Sequence, residues 1–190
     1  MEDTLRGIAA EHDGYFTSGE ADEAGIKRAI VVQLKHRGRL ERVDRGLYRL
    51  VHWPQNDLQD YHRAILWPTV HRDLDYAVIS HDSALQLYGL SDLNPASVHI
   101  TVPAGFRARR PTPAWLRIHS EDVPERDRTS ERGVPTISIV RAIEQIAPTR
   151  GLGIVHQAIS EARERNLLRD DELQPLVEQF GAGILEPYHA

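Results

Sequence analysis

The chain has 190 residues, of which 41% are hydrophobic and 27% are charged, a composition typical of a globular protein of one or two domains. Its formal net charge is −5, so nucleic-acid binding would require a local basic patch rather than a basic surface overall. The absence of cysteine excludes disulfides, thiolate catalysis and cysteine-ligated zinc, and the lack of a signal peptide or a long apolar run predicts a cytoplasmic protein without membrane contact.

The first 50 residues divide sharply by charge. Residues 1–25 carry seven acidic residues against one arginine, whereas residues 26–50 carry eight basic residues against two acidic ones. A solvated helix face can carry such a run by chance. Here the basic run extends across a predicted helix and the hairpin that follows it, which favours a functional surface.

Three helices are predicted within this region. Leu5, Ile8 and Ala9 have helical spacing between Thr4 and Glu11, so the first helix lies there. The stretch Thr17-Ser18-Gly19-Glu20 has the form of a capping box and predicts a short second helix that ends at Gly25.

The third helix is predicted from about Lys27 to Arg37, with an inward stripe formed by Ile26, Ile30 and Leu34. Turning 100° per residue from that stripe defines an outward face. The residues assigned to this face or to its start are Lys27, Arg28, Val32, Lys35 and His36.

A hairpin follows the third helix. Leu40–Val43 and Leu47–Leu50 are short β-prone runs joined by a turn that ends in Gly46. Three helices followed by a basic hairpin indicate a winged helix-turn-helix, in which the third helix enters the major groove of DNA. The hairpin would then place its arginines on phosphates, namely Arg39, Arg42, Arg45 and Arg49. The alternative is a winged helix that docks onto another protein and does not bind DNA.

The remainder predicts a second domain of mixed α/β structure. A polar segment at 52–57 is typical of a linker, so the predicted domains are 1–51 and 58–190, and the fold class is α+β. Strands are expected at 77–79, 98–102, 115–119 and 134–139. Helices are expected at 58–66, 80–88, 139–147, 151–168 and 170–180.

Enzymatic chemistry finds no support in the sequence. Ser80-His81-Asp82-Ser83 contains the residue types of a hydrolytic triad, but consecutive side chains cannot form that relay, so helix capping by Ser80 is the preferred interpretation. The ten histidines include no local metal-binding pair. The sequence contains neither a complete glycine-rich dinucleotide-binding loop nor a P-loop of the form G-x-x-x-x-G-K-[ST]. We therefore expect no catalytic residue, no metal and no cofactor.

A second contact site is predicted in the loop that carries Arg107, Arg109 and Arg110, which Pro111 and Pro113 stiffen. These arginines would reach DNA beside the operator or an acidic protein surface. An exposed, solvated loop is the alternative.

Two segments resemble the AbiEi family of antitoxins and transcriptional regulators from type IV toxin-antitoxin systems. GYFTSGEADEAGIKRAIVVQLKHRGRLERVDRGLYRL is similar to the N-terminal winged helix of that family, whose basic ending is kept at Gly38, Leu40, Arg42, Val43, Arg45, Gly46, Tyr48 and Arg49. A second family pattern is kept at Ser80, His81, Ser83, Ala84, Leu85, Leu87, Gly89 and Leu90.

The resemblance implies a repressor that binds inverted repeats in double-stranded DNA of its own promoter. It also implies an antitoxin that opposes a cognate nucleotidyltransferase-like toxin, with or without a stable complex. A stand-alone regulator without a toxin partner is the other interpretation.

Overall fold

The computed structural model describes residues 2–70, 74–186 and 188, and it divides into two compact units. The first unit comprises Met1–Ala77 and Gly105–Pro111, and the second comprises Val78–Ala104 and Thr112–Ala190. Each unit combines helices with one sheet, so the predicted mixture of α and β structure is confirmed. None of the described helices is long and apolar enough to cross a membrane.

The first unit contains four helices and a three-stranded antiparallel sheet in the order β1-β3-β2. Its elements are α1 (Glu2–Ala10), β1 (Tyr15–Thr17), α2 (Ser18–Glu23), α3 (Arg28–His36), β2 (Leu40–Asp44), β3 (Leu47–Leu50) and α4 (Gln59–Leu66). The three helices and the hairpin predicted before residue 51 are confirmed. The sequence does not predict strand β1, because its three residues are all buried and show no alternation of apolar and polar side chains.

The capping box at the start of α2 is formed as predicted. The backbone N–H of Glu20 donates to the Thr17 hydroxyl at 3.2 Å, and the N–H of Thr17 donates to the Glu20 carboxylate at 2.6 Å. Phe16 and Ala21 are both fully buried beside this cap. The cap therefore fixes where α2 begins and how the chain enters it.

One hydrophobic core joins the elements of the first unit. Its buried members come from α1, α2, α3 and the sheet: Leu5, Ala9, Phe16, Ala21, Ile26, Val31, Leu34, Leu40 and Tyr48. Phe16 and Tyr48 stack across β1 and β3 with ring centroids 5.7 Å apart. Because α3 and the hairpin contribute to the same core, their orientation relative to each other is fixed by packing.

The segment predicted as a linker packs against the first unit. The indole of Trp53 donates to Asp13 at 2.9 Å, and an added Cβ at Gly14, where φ is +91°, would lie 2.4 Å from the Trp53 ring. The unit also includes residues 52–77 and 105–111, so its bounds differ from the predicted domains 1–51 and 58–190. The difference arises because these segments contain few local signals of the long-range contacts they make.

The second unit has a mixed five-stranded sheet in the order β6-β5-β4-β8-β7. Its strands are β4 (Val78–Ile79), β5 (Val98–Val102), β6 (Leu116–Ser120), β7 (Arg128–Glu131) and β8 (Val134–Ile137). Its helices are α5 (His81–Tyr88), α6 (Ile139–Glu164) and α7 (Asp170–Phe180), with 3₁₀ turns at Glu125–Asp127 and Ala182–Leu185. Gly151 interrupts α6 with non-helical backbone angles, which agrees with the two helices predicted there.

Ser80 occupies the N-cap position of α5, but its side chain makes no capping hydrogen bond. Its hydroxyl instead lies 3.0 Å from Nδ1 of His81. The predicted capping role of this hydroxyl is therefore wrong, although the predicted helix is present.

Candidate nucleic-acid interface

Helix α3 has an apolar face and a cationic face. Val31 and Leu34 are buried in the core of the first unit, whereas Arg28, Lys35 and Val32 are exposed. Together with His36, the exposed residues fall at positions i, i+4, i+7 and i+8, so they lie along one side of the helix. The predicted outward face of α3 is confirmed.

The β2–β3 hairpin brings two more arginines beside that face. Arg42 and Arg45 are exposed, and the strand register shifts between Arg42 and Asp44, which marks a bulge before the turn. Gly46 has a φ of +76°, a conformation that suits glycine in a tight turn. A bulge of this kind bends its strand and increases the local twist of the hairpin.

The α3 face and the hairpin line one open groove of about 550 Å³, which we call the cationic groove. Among the residues that the structure describes, its lining includes four permanent cations and one histidine against a single acidic side chain, Asp22. The described residues that line it are Ser18, Gly19, Asp22, Ile26, Arg28, Val31, Val32, Lys35, His36, Arg42, Arg45, Gly46, Tyr48 and Val70.

The cations of the groove are not neutralised by the part of the chain that the structure describes. Among those residues, no carboxylate forms an ion pair with Arg28, Lys35, Arg42 or Arg45. Arg42 uses one N–H to donate to the carbonyl of Asp44 at 3.3 Å, which leaves its positive charge unpaired. Such a groove is suited to bind an anionic ligand with regularly spaced charges.

Two arginines predicted to contact DNA lie elsewhere. Arg39 pairs with Glu2 at 3.2 Å, which lowers the pKa of that carboxyl group, and it lines a different cavity. Arg49 donates to the carbonyl of Trp53 at 3.4 Å and lies over the ring of Tyr15. Tyr48, the neighbour of Arg49 in β3, lines the cationic groove. Because alternate side chains of a β-strand point to opposite faces, Arg49 lies on the face of the hairpin away from the groove.

Lys27 is the third predicted contact outside the groove lining. It is exposed at the N-cap position of α3, where its side chain makes no capping hydrogen bond. Its charge remains near the start of the helix, although the described lining of the groove includes its neighbours Ile26 and Arg28 and not Lys27 itself.

Arg110 holds the hairpin turn in place. Its guanidinium donates to the Asp44 carboxylate at 3.1 Å, to the carbonyl of Arg45 at 2.9 Å and to the carbonyl of Trp67 at 3.1 Å. The same group stacks over the Trp67 ring at 4.2 Å, and the Trp67 indole donates to Asp44 at 2.8 Å. We call Asp44, Trp67 and Arg110 the hairpin clamp.

The hairpin clamp corrects the prediction of a second contact site formed by three arginines. Arg110 is committed to contacts within the first unit, so it is not available to a ligand. Arg107 and Arg109 are exposed, and Arg107 donates to the carbonyl of Phe106 at 2.8 Å. The three residues of the clamp are far apart in the chain and match no local motif, so the sequence alone does not indicate it.

Replacing Arg110 with alanine should lower the free energy of unfolding by about 1–3 kcal/mol, because Asp44 and two carbonyls lose a charged donor in a half-buried setting. Arg109→Ala is the matched control, since Arg109 is exposed, and we expect a change within about 0.5 kcal/mol. Urea unfolding of both variants measures the difference. Equal stability of the two variants would show that the clamp does not stabilise the unit.

Comparison with known proteins agrees with this description of the first unit. Residues 3–51 match the family model described as a transcriptional regulator, AbiEi antitoxin. A comparison with curated proteins gives no match. The crystal structure of the RV2827C protein from Mycobacterium tuberculosis is similar with a TM-score of 0.58 and 15% identity, over 95% of this chain and 74% of that chain. At this identity the likeness shows a shared fold alone, whereas the resemblance to the AbiEi family is confirmed for residues 3–51.

Proposed function

We propose that the first unit is a winged helix-turn-helix that binds double-stranded DNA through the cationic groove. The observation that carries this proposal is the meeting of Arg28, Lys35, Arg42 and Arg45 in one open groove without carboxylate partners among the described residues. Phosphate neutralisation supplies most of the affinity of such proteins for DNA. A local patch is therefore sufficient, although the whole chain is acidic.

The two walls of the groove take different roles in this proposal. Helix α3 enters the major groove, where Arg28 near its N-terminus reaches base edges and Lys35 and His36 lie nearer the backbone. The β2–β3 hairpin is the wing, and Arg42 and Arg45 contact phosphates. The hairpin clamp holds the turn of this wing in a fixed position.

We further propose that the protein is a transcriptional autorepressor and the antitoxin of a type IV toxin-antitoxin pair. The support is the match of residues 3–51 to a family described as an antitoxin and transcriptional regulator. The partner would be a nucleotidyltransferase-like toxin, and the second unit would carry the antitoxin activity. The binding site in DNA would be an inverted repeat in the promoter of the gene itself.

Replacing Arg42 and Arg45 together with alanine should weaken binding to promoter DNA and to unrelated duplexes alike, because phosphate contacts carry no sequence information. The slope of log Kobs against log salt concentration should fall by about 2, roughly one unit for each phosphate that is no longer neutralised. Fluorescence anisotropy at several salt concentrations measures both quantities.

Arg39→Ala is the matched control for this experiment. It removes one positive charge from the same unit, but Arg39 pairs with Glu2 outside the groove, so we expect the salt slope of the wild type rather than a fall of about one. A wild-type chain without measurable DNA affinity at low salt would contradict the proposal and favour a protein-docking module.

Expression of a toxin gene adjacent to the gene for this protein should arrest growth, and co-expression of this protein should restore it. A variant with alanine at Arg42 and Arg45 separates the two activities: it should still restore growth when expressed from an unrelated promoter but should fail to repress its own. A neighbouring nucleotidyltransferase-like protein whose toxicity is unaffected by co-expression would contradict the antitoxin role.

A further inference from the structure

Three histidines from distant parts of the chain meet in the second unit. His81 begins α5, His99 lies in β5 and His119 lies in β6. Strands β5 and β6 are parallel with Thr101 opposite His119, so His99 and His119 project from the same face of the sheet. The ring centroids of His81 and His119 are 3.7 Å apart, and those of His99 and His119 are 5.2 Å apart.

The ring nitrogens have a spacing that a single metal ion can bridge. One nitrogen from each of the three residues lies within 4.8 Å of the other two. Nε2 of His119 and Nδ1 of His99 are 3.3 Å apart. Two nitrogens bound to one tetrahedral zinc ion at about 2.0–2.1 Å are themselves about 3.3 Å apart, so this pair already has the required separation.

A contact from outside the cluster orients the ring of His81. The Ser80 hydroxyl lies 3.0 Å from Nδ1 of His81, which leaves Nε2 of that ring for a ligand. Histidine ligands of metals usually have such an oxygen partner on the other ring nitrogen, because it fixes the tautomer and the ring orientation.

The backbone of His81 has an unusual conformation that a hydrogen bond supports. His81 has a φ of +53°, a conformation uncommon for residues other than glycine, and its N–H donates to the Gln145 side chain at 3.2 Å. Gln145 in turn donates to Glu121 at 3.1 Å. Residues held in such backbone conformations cluster at functional sites.

The surroundings of the cluster keep the imidazoles neutral. Burial lowers the pKa of His81 to about 3 and that of His119 to about 4, with the neighbouring rings as further causes. The unprotonated form is the one that binds metal. Asp82 is buried beside the rings, and its carboxylate is already balanced by an ion pair with Arg150 at 2.6 Å, so the three imidazoles are the ligands that the cluster offers.

We propose that His81, His99 and His119 bind one zinc ion, with the fourth coordination position open to water or to a ligand. Imidazole ligands suit zinc better than magnesium or calcium, which prefer oxygen. The sequence predicts no metal site because it contains no local histidine pair, whereas here the parallel pairing of β5 and β6 assembles the ligands. The site lies in the second unit and does not depend on the proposed DNA binding.

Isothermal titration of the metal-free full-length chain with zinc chloride tests the proposal. We expect binding of one zinc ion per chain, no binding of magnesium, and a rise in the unfolding temperature with zinc. His99→Gln and His119→Gln should each weaken zinc binding at least tenfold. Ser80→Ala keeps all three ligands and should weaken it by roughly tenfold, since it removes only the hydroxyl that orients the His81 ring.

His52→Gln is the control variant, because His52 is exposed in the first unit and should not affect zinc binding. Cobalt gives a second readout, since a tetrahedral cobalt site has a visible absorption band that the His99 and His119 variants should lack. A wild-type chain that binds no zinc overturns the proposal whatever the variants do. Equal zinc affinity in the wild type and in both ligand variants overturns it as well and would leave the rings as a packed cluster.

Discussion

The shared core of α3 and the β2–β3 hairpin is the constraint on which the candidate interface depends. Val31 and Leu34 anchor the helix, and Leu40 and Tyr48 anchor the hairpin in the same cluster of buried side chains. Close packing allows these elements a single arrangement. The exposed cations of the two elements therefore face one groove as a consequence of the apolar residues behind them.

The acidic segment that precedes the groove does not cancel its charge. Glu2 pairs with Arg39, Asp13 accepts from Trp53 and Asn56, and Glu20 closes the capping box. These carboxylates serve the fold of the first unit, and Asp22 is the one acidic residue among those described that lines the groove. Glu2, Asp13 and Glu20 are thus occupied by structural contacts away from the cations of the groove.

Local signals explain which parts of the molecule could be predicted from the sequence. The capping box at Thr17, the apolar stripe of α3 and the glycine turn of the hairpin are each encoded within a few residues, and all three are present. The contacts of Arg39 with Glu2 and of Arg49 with Trp53 could not be predicted, because a count of basic residues does not show which of them find partners across the fold. The hairpin clamp and the histidine cluster are assembled by contacts between distant residues, so no local pattern indicates either.

The most direct test of the cationic groove is a titration of the ¹⁵N-labelled chain with a promoter duplex, followed through backbone amide chemical shifts. We expect the largest chemical-shift changes at Arg28–His36 and at the turn around Arg45, with small changes at Glu2 and Arg39. Changes confined to the second unit, or centred on Glu2 and Arg39, would contradict it.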